Sequence, residues 1–463
     1  MNAFWQQFTL SRVPLQEWRS TSFLHRAIVG ILRPWRQSSW LIQWADQIAA
    51  VLLAVVFALT PFVSNTLVGL LLAACGAFWL LITLADVRDV PQLTPIHLLV
   101  LLYWGISIVA TALSPVKAAA FSGLIKLTLY LLMFALAARL LRSARFRTWI
   151  LAIYLHVALI VSVYGLRQWF FGATALATWV DTKSSLSETT RVYSYLGNPN
   201  LLAGYLLPAV ALSAMAILVW RGWLPKALAL TMFLVNTACL VLTFSRGGWI
   251  GLLVVIVSLL ILLVYWWSIR LPHFWRTWSL PILLGTIALV IAIAVLFVEP
   301  IRDRVLSIFA GRNDSSNNFR INVWLAVLDM IRDRPVLGIG PGNSAFNSVY
   351  PLYQQPKYTA LSAYSILLEV AVETGLIGLA CFFWLVAVML SQGFTQLHRL
   401  RQQANRQGFW LIAALAILFG MLAHGAVDTV WYRPEVSTLW WLTVALIASY
   451  LPTMTTSTKT LTQ

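Results

Sequence analysis

A cationic side chain, Arg246, stands between two long apolar stretches of the sequence, in the segment Phe244–Trp249. An ionisable residue costs about 2.5–3.5 kcal/mol at the centre of a bilayer and is therefore a candidate functional residue. A guanidinium group binds phosphate- or carboxylate-like anions through two parallel hydrogen bonds. Arg246 is thus predicted to be a fixed cation for an anionic substrate. The alternative is an interfacial arginine that contacts lipid headgroups.

Three further arginines extend this prediction. Arg167 lies near the end of an apolar run, and Arg312 and Arg320 lie in a long polar segment. Together with Arg246 they predict a positively charged, substrate-binding cavity. Pyrophosphate, lipid phosphate and bicarbonate all suit such a cavity, so these residues leave open a small anion or a lipid-linked one. The alternative for Arg167 is a structural ion pair with a carboxylate.

Acid–base chemistry is suggested by His424 and Asp428, which are four residues apart and share one helix face. A histidine–aspartate pair can act as a general base, which makes both residues catalytic candidates. The alternative for His424 is a hydrogen-bonded packing residue. Glu369 and Glu373 are also four apart, and Lys126 falls well inside an apolar run, so these three are candidate inner charges.

The sequence shows no spacing of residues that is typical of a metal site. The three cysteines, Cys75, Cys239 and Cys381, all fall inside apolar runs and have no metal-ligand spacing. They are predicted to be buried apolar residues. No metal site and no cofactor are expected.

The composition indicates which elements must position these side chains. Hydrophobic residues make up 60% of the 463 residues and charged residues only 10%, against about 25% charged in a soluble domain. Only helices and closed barrels satisfy the backbone in lipid, and the apolar runs are continuous rather than alternating. We therefore predict an all-α polytopic membrane protein with about twelve transmembrane helices, and residues 1–463 form a single domain. The predicted runs are 48–63, 67–85, 96–113, 118–140, 149–171, 201–220, 227–244, 249–267, 278–298, 364–390, 409–427 and 436–451.

Basic residues indicate the orientation. The net charge is +17, and lysines and arginines concentrate in alternate short segments between apolar runs, at 139–147, 221–226, 270–276 and 399–406. Such segments mark cytoplasmic loops, so both termini are predicted to be cytoplasmic. Because the cytoplasmic loops account for the basic residues, membrane lipids are the expected partner and nucleic acid is not. The plasma (inner) membrane is predicted, because the candidate anionic substrates arrive from outside the cell.

Counting the apolar runs from a cytoplasmic N-terminus places two long segments on the external side of the membrane, residues 172–200 and residues 299–363. The second lies between the ninth and tenth runs and is predicted to carry an amphipathic helix at 319–333, capped by Asn317 or Asn318. Its apolar positions are Ile321, Trp324, Leu325, Leu328 and Ile331. The glycine-rich segment Gly338–Asn343 that follows lacks the lysine of a phosphate-binding loop. A helix on the membrane surface and a substrate-facing lid remain alternatives for this segment.

Three motifs carry a family resemblance. They are Ser245-Arg246-Gly247-Gly248-Trp249, the stretch from Arg320 and Trp324 through Pro335-Val336-Leu337-Gly338-Ile339-Gly340-Pro341-Gly342, and Glu373-Thr374-Gly375-Leu376-Ile377-Gly378. In this order they resemble the O-antigen ligase and polymerase-like membrane proteins over residues 230–385. The resemblance implies about twelve spans and a large external loop before the tenth. It also implies a metal-independent glycan ligase or polymerase that acts on a lipid-pyrophosphate-linked saccharide.

Further motifs make nearly the whole chain resemble the cyanobacterial bicarbonate transporter family. They are Tyr195-Leu196-Gly197-Asn198-Pro199-Asn200, Asp314-Ser315-Ser316-Asn317-Asn318-Phe319-Arg320 and Ala360-Leu361-Ser362-Ala363-Tyr364-Ser365. This resemblance implies a role in inorganic carbon accumulation and is the first functional hypothesis, with glycosyl transfer as the alternative. Asn200 of the first of these motifs and Glu373 of the Glu373–Gly378 motif are further substrate-binding candidates.

One position departs from the ligase pattern. Ligases of the larger family have a catalytic histidine nine residues before the glutamate that corresponds to Glu373, and this chain has Tyr364 there. The catalytic base is therefore unassigned by the resemblance. His424 and Asp428 are the candidates that could replace it.

Overall fold

The apolar runs of the sequence all form helices. The computed structural model describes residues 3–10, 39–85, 93–173, 190–428 and 430–450, and these contain helices and no strand. Each of the twelve predicted runs corresponds to one helix. Ten of these helices are long and apolar enough to cross a membrane, and two are shorter, so the prediction of an all-α polytopic membrane protein is confirmed. The basic residues at positions 12–36 and most of the segment 172–200 lie outside the described residues.

The helices are numbered in chain order. They are α1 (Ala3–Phe8), α2 (Trp40–Gln43), α3 (Ala45–Leu59), α4 (Asn65–Ala85), α5 (Pro95–Ala112), α6 (Lys117–Leu140), α7 (Ala144–Phe171), α8 (Pro199–Val219), α9 (Trp223–Val241), α10 (Arg246–Trp267), α11 (His273–Phe297), α12 (Glu299–Phe309), α13 (Ser315–Asp333), α14 (Asn343–Val349), α15 (Ile366–Gln402), α16 (Gly408–Val427) and α17 (Pro434–Ala448). The two shorter apolar helices are α3 and α17.

The helices differ in how deeply they are packed. Most residues of α8, α16 and α17 are buried, so these three helices form the centre of the bundle. Gly251 of α10 faces Gly420 of α16, where a Cβ atom on Gly251 would approach the Gly420 carbonyl to 3.0 Å. Small residues at such a contact let two helix backbones approach closely. In contrast, α11 buries none of its residues, and its main contacts among the described helices are with α10 and α12.

Residues 299–365 form a helical subdomain at one end of the bundle, which we term the loop end. The subdomain contains α12, α13 and α14 and has its own apolar core. The predicted amphipathic helix is present, but it begins at Ser315, and the Asp314 carboxylate caps it by accepting a hydrogen bond from the Asn317 backbone N–H at 2.9 Å. The prediction that Asn317 or Asn318 caps this helix is therefore wrong.

The predicted apolar face of α13 is packed only in part, since Ile331 packs against the core of the subdomain. Leu325 and Leu328 are exposed, and the buried residues are Val323, Ala326, Val327 and Met330. Both sets have the spacing of a helix face, since α13 carries apolar residues around most of its circumference. The face that packs is the one turned toward the core of the subdomain, which sequence periodicity does not identify.

The glycine-rich segment and the Glu-Thr-Gly motif pack against each other. Gly375 has φ 69° and ψ −174°, which breaks the hydrogen-bond ladder of α15. The backbone N–H groups of Ile339 and Gly340 donate to the carbonyls of Val372 and Glu373, both at 2.9 Å. Gly342 has a positive φ and touches Gly123 of α6, where a Cβ atom would come within 2.5 Å of the Gly123 Cα. The segment is therefore an anchor of the subdomain on the bundle.

Candidate functional site

Arg246 begins α10 at the loop end and lies under the subdomain. Ser245 caps the helix by accepting a hydrogen bond from the Gly248 backbone N–H at 3.1 Å, which fixes where the chain turns inward. The Arg246 side chain is only 8% exposed. Its two Nη groups donate to the two oxygens of Asp314 at 2.8 and 2.5 Å, and one also donates to Asn317 Oδ1 at 2.6 Å. This fork geometry is the one in which arginine binds oxyanions.

Arg320 reaches the same region from α13. Its Nη2 atom lies 3.3 Å from Asp428 Oδ2, at the end of α16, and its Nη1 atom donates to Ser316 Oγ at 2.7 Å. Asp428 is 2% exposed, so the pair is largely removed from solvent. The structure thus joins two residues that are 108 positions apart in the sequence, Arg320 from the arginine prediction and Asp428 from the acid–base prediction.

A third arginine, Arg191, was missed by the sequence analysis. Its Nε atom donates to the Thr243 carbonyl at 3.0 Å, and its Nη2 atom donates to Asn200 Oδ1 at 3.2 Å. Burial lowers the pKa of Arg191 to about 10; the nearby Asp428 opposes this shift, whereas Arg320 and Arg246 contribute to it. Arg191 therefore lies near the other two arginines and stays protonated at neutral pH. Its place just before the Tyr195–Asn200 motif was the only signal in the sequence.

We term Arg191, Arg246 and Arg320 the arginine cluster. Among the described residues, two aspartates, Asp314 and Asp428, lie against these three cations, so the described side chains leave one positive charge in excess. The Nε atoms of Arg246 and Arg320 are buried and have no hydrogen-bond partner among the described residues. Buried donors are nearly always satisfied, so donors left unsatisfied beside excess positive charge indicate a place for an anion or for water.

His424 lies beside the cluster, inside the bundle. Its ring is 1% exposed and fits between Gly204 of α8 and Gly247 of α10, where Cβ atoms would approach it to 3.1 and 2.9 Å. Its Nε2 atom is buried without a hydrogen-bond partner in the part of the chain that the structure describes. Gly247, which follows Arg246, must therefore be glycine, because the histidine ring occupies the space of a side chain there.

Tyr364, at the position of the expected histidine, faces the cluster. Burial raises the pKa of the Tyr364 hydroxyl, and the nearby Asp428 carboxylate adds to this shift. The hydroxyl is therefore a hydrogen-bond donor at neutral pH and not a base. The Tyr364 backbone has φ 52°, a conformation that a bulky side chain rarely adopts. Phe244 and Ser194, close in sequence to Arg246 and Arg191, have φ 49° and 52°, and such strain concentrates at functional sites.

A part of the chain that contains several residues of this site matches a known protein family. Residues 227–383 match the O-Antigen ligase family. The match supports the resemblance to O-antigen ligase-like proteins, and the narrower resemblance to bicarbonate transporters is not confirmed. No curated protein matches the chain.

The O-antigen ligase-like region contains only part of the site. Arg246, Asp314, Arg320 and Tyr364 lie within it, whereas Arg191 precedes it and Asp428 follows it. The site is therefore completed by the segment before α8 and the end of α16, which sequence comparison with this family does not include. Among the described residues, no three His, Cys, Asp or Glu side chains are placed to bind one metal ion.

The remaining predicted residues lie at or beyond the edge of the cluster. Arg167 is exposed, and its guanidinium lies 5.8 Å from the ring centre of Tyr164, so it does not join the other arginines. Arg312 is exposed and donates to Asn318 Oδ1 at 3.1 Å, at the rim. Glu373 accepts the Gly342 backbone N–H at 2.8 Å and thereby fastens the glycine-rich segment.

Proposed function

We propose that this protein transfers a saccharide from a lipid pyrophosphate to an acceptor hydroxyl, as an O-antigen ligase-like glycosyltransferase. The observation that carries the proposal is the arginine cluster, whose buried N–H donors and net positive charge suit a pyrophosphate. The family match over residues 227–383 supports this function over bicarbonate transport. We place the cluster at the external face of the plasma membrane, because the basic loops occupy the opposite end of the bundle.

The arginine cluster binds the pyrophosphate in this proposal. Arg246 and Arg320 hold phosphate oxygens, and Arg191 adds positive charge nearby. The Asp314 carboxylate already occupies the Arg246 fork, so the pyrophosphate competes with it. Because the N-terminus of α10 also points into the site, the helix dipole favours an anion there. These groups are in place before the reaction and so lower the energy of the charge that develops on the leaving group.

The transfer step needs a base and a stabilised leaving group. The acceptor oxygen forms a bond to C1 of the donor saccharide while the C1–O bond to the pyrophosphate breaks. Asp428 accepts the proton of the acceptor hydroxyl, and the bonding electrons leave with the lipid pyrophosphate, held by the arginines. The Tyr364 hydroxyl donates a hydrogen bond and orients the reacting oxygen. His424, one helical turn before Asp428, helps in this proposal to hold the Asp428 carboxylate in position.

The lipid part of the donor has an apolar surface beside the site. Helix α11 buries no residue, and its main contacts among the described helices are with α10 and α12, so we place lipid along α11 and the flank of α10 below Arg246. Leu253 and Ile261 of α10 and Leu289 of α11 are exposed there. A polyprenyl chain lies along this flank while its pyrophosphate reaches the arginine cluster.

The test compares the two functional hypotheses in one preparation. Protein reconstituted into liposomes is supplied with a labelled lipid-pyrophosphate saccharide, and release of lipid pyrophosphate is measured beside uptake of labelled bicarbonate. We expect release of lipid pyrophosphate that is lost in Arg246→Ala, and we expect no uptake of bicarbonate. Bicarbonate uptake that Arg246→Ala abolishes, with no release, would overturn the proposal. In cells depleted of this protein, we expect the lipid-linked saccharide to accumulate.

A further inference from the structure

A second polar cavity lies next to the arginine cluster, on the other side of Tyr432. It has a volume of about 150 Å³, is partly open to the surroundings, and is lined by the glycine-rich segment, the segment before α17, and helices α5, α6, α15 and α17. The Tyr432 side chain lines this cavity, and its hydroxyl is close enough to both Glu369 and Asp428 to feel their charges. One tyrosine thus separates this cavity from the proposed base.

Seven aromatic residues contribute to the cavity wall. They are Tyr103, Tyr130, Phe382, Trp431, Tyr432, Trp440 and Trp441. The ring centres of Trp431 and Trp440 are 4.1 Å apart, and Phe382 stacks on Trp440 at 6.1 Å. These rings give the cavity broad, rigid apolar faces, which pack well against flat C–H surfaces.

Charged and polar groups converge on the same space. Glu369 is 5% exposed and lines the cavity together with Glu373 and Lys126. No described residue pairs with the Lys126 ammonium group, and the indole N–H of Trp431 is buried without a partner among the described residues. The cavity therefore offers both donors and acceptors for hydrogen bonds. A purely apolar occupant would offer no hydrogen-bond acceptor to the Trp431 indole N–H or the Lys126 ammonium group, which is costly.

The charges restrict the occupant further. The acidic side chains of Glu369 and Glu373 disfavour an anion, and the Lys126 ammonium disfavours a simple cation. A neutral ring with several hydroxyl groups and apolar C–H faces suits the acidic side chains, the ammonium group and the aromatic rings together. The volume corresponds to about five water molecules, each of about 30 Å³, which admits one sugar ring and not a chain.

We propose that this cavity binds one neutral pyranose ring of the acceptor. Its description as an acceptor subsite rests on the proposed glycosyl transfer. A pyranose in this cavity presents a hydroxyl past Tyr432 toward Asp428, the group that takes its proton. The donor pyrophosphate and the acceptor sugar thus occupy opposite sides of Asp428.

Sugar binding is tested directly on the full-length protein in detergent. Saturation-transfer NMR is recorded with D-glucose, D-galactose, N-acetyl-D-glucosamine and L-rhamnose, each at millimolar concentration. We expect transfer to the ring C–H protons of at least one sugar, and at least a fivefold loss of that signal in Glu369→Gln. The matched control is Glu435→Gln, a buried carboxylate bonded to Arg433 that does not line the cavity. Absence of transfer to all four sugars, or equal signals in Glu369→Gln and wild type, would overturn the proposal.

A second variant protects the test against misfolding. Lys126→Met removes the unpaired donor without altering the buried carboxylates, and the same loss of sugar signal is expected. In transfer assays both variants are expected to raise the acceptor KM about tenfold, as loss of a hydrogen bond to a substrate hydroxyl does, with donor affinity unchanged. Sugar binding without transfer from any lipid-pyrophosphate donor would refute the proposed function and leave the subsite standing. Transfer that neither variant affects would refute the subsite alone.

Discussion

Two buried arginines at opposite ends of the bundle differ in their surroundings. Arg147 is 4% exposed, donates to Gln407 Oε1 at 3.0 Å and to Ser449 Oγ at 3.4 Å, and has its guanidinium 4.0 Å from the ring centre of Tyr450. Arg246 is 8% exposed but faces a carboxylate and two further arginines. In both cases a charged side chain is buried in apolar surroundings, which is costly, so burial alone does not identify a functional arginine.

The difference lies in the charge balance around each guanidinium. Arg147 is surrounded by neutral acceptors and an aromatic ring, which stabilise a single cation and connect three segments of the chain. At the arginine cluster, three cations meet two carboxylates, and the repulsion among them is relieved when an anion binds. The first arrangement is explained by structure alone. The second is the arrangement in which we propose that an anion binds.

Replacing the two arginines by lysine is expected to give the largest contrast. Arg246→Lys keeps the charge but loses the fork, so kcat/KM for saccharide transfer is expected to fall about 10²–10³-fold, as when one preorganised donor is removed. Arg147→Lys is expected to lower the thermal midpoint, in line with a loss of about 1–2 kcal/mol of hydrogen bonding. Its activity per folded molecule should stay within about twofold of wild type. Equal losses of activity in both variants would remove the distinction.

Asp428→Asn is expected to give the next largest effect. The amide keeps the shape of the side chain but cannot accept the proton, so kcat should fall about 10²-fold while donor binding persists. The matched control is Asp329→Asn, which breaks an exposed ion pair with Arg332. Single-turnover rates separate chemistry from binding. An unaltered rate in Asp428→Asn would exclude this carboxylate as the base.

Asp314→Asn sharpens the comparison in the opposite direction. Because Asp314 competes for the Arg246 fork and neutralises one cation, its replacement is expected to tighten lipid pyrophosphate binding about fivefold, or about 1 kcal/mol. The asparagine side chain still caps α13, since it also accepts hydrogen bonds from backbone N–H groups. Weaker binding in Asp314→Asn would show that the carboxylate positions Arg246 rather than competing for it.

Arg167→Ala is expected to have the smallest effect. Its side chain is exposed beside Tyr164, outside the cluster, so transfer and donor binding should stay within about twofold of wild type. The same assays as for Arg246→Lys measure this. A loss comparable to that of Arg246→Lys would return Arg167 to the site.

The sequence predicted the helices well, because long continuous apolar runs have one stable structure in lipid. Arg246 and Arg320 were also recognised, since charges at membrane boundaries are rare. Arg191 and Asp314 were missed because their role depends on which loops meet in space. Arg167 was misplaced because a rotation of about 100° per residue decides whether a helical side chain faces lipid or the interior. The buried face of α13 was misassigned for a similar reason.

The central claim is that the arginine cluster binds a lipid pyrophosphate, and calorimetry on protein in lipid nanodiscs tests it most directly. Geranylgeranyl pyrophosphate is titrated into wild type, Arg246→Lys, Arg320→Lys and Arg147→Lys. We expect each of the two cluster variants to weaken binding at least about tenfold, or about 1.4 kcal/mol, and Arg147→Lys to match wild type. Bicarbonate at millimolar concentration should not displace the ligand. Equal affinity in wild type and both cluster variants would contradict the account.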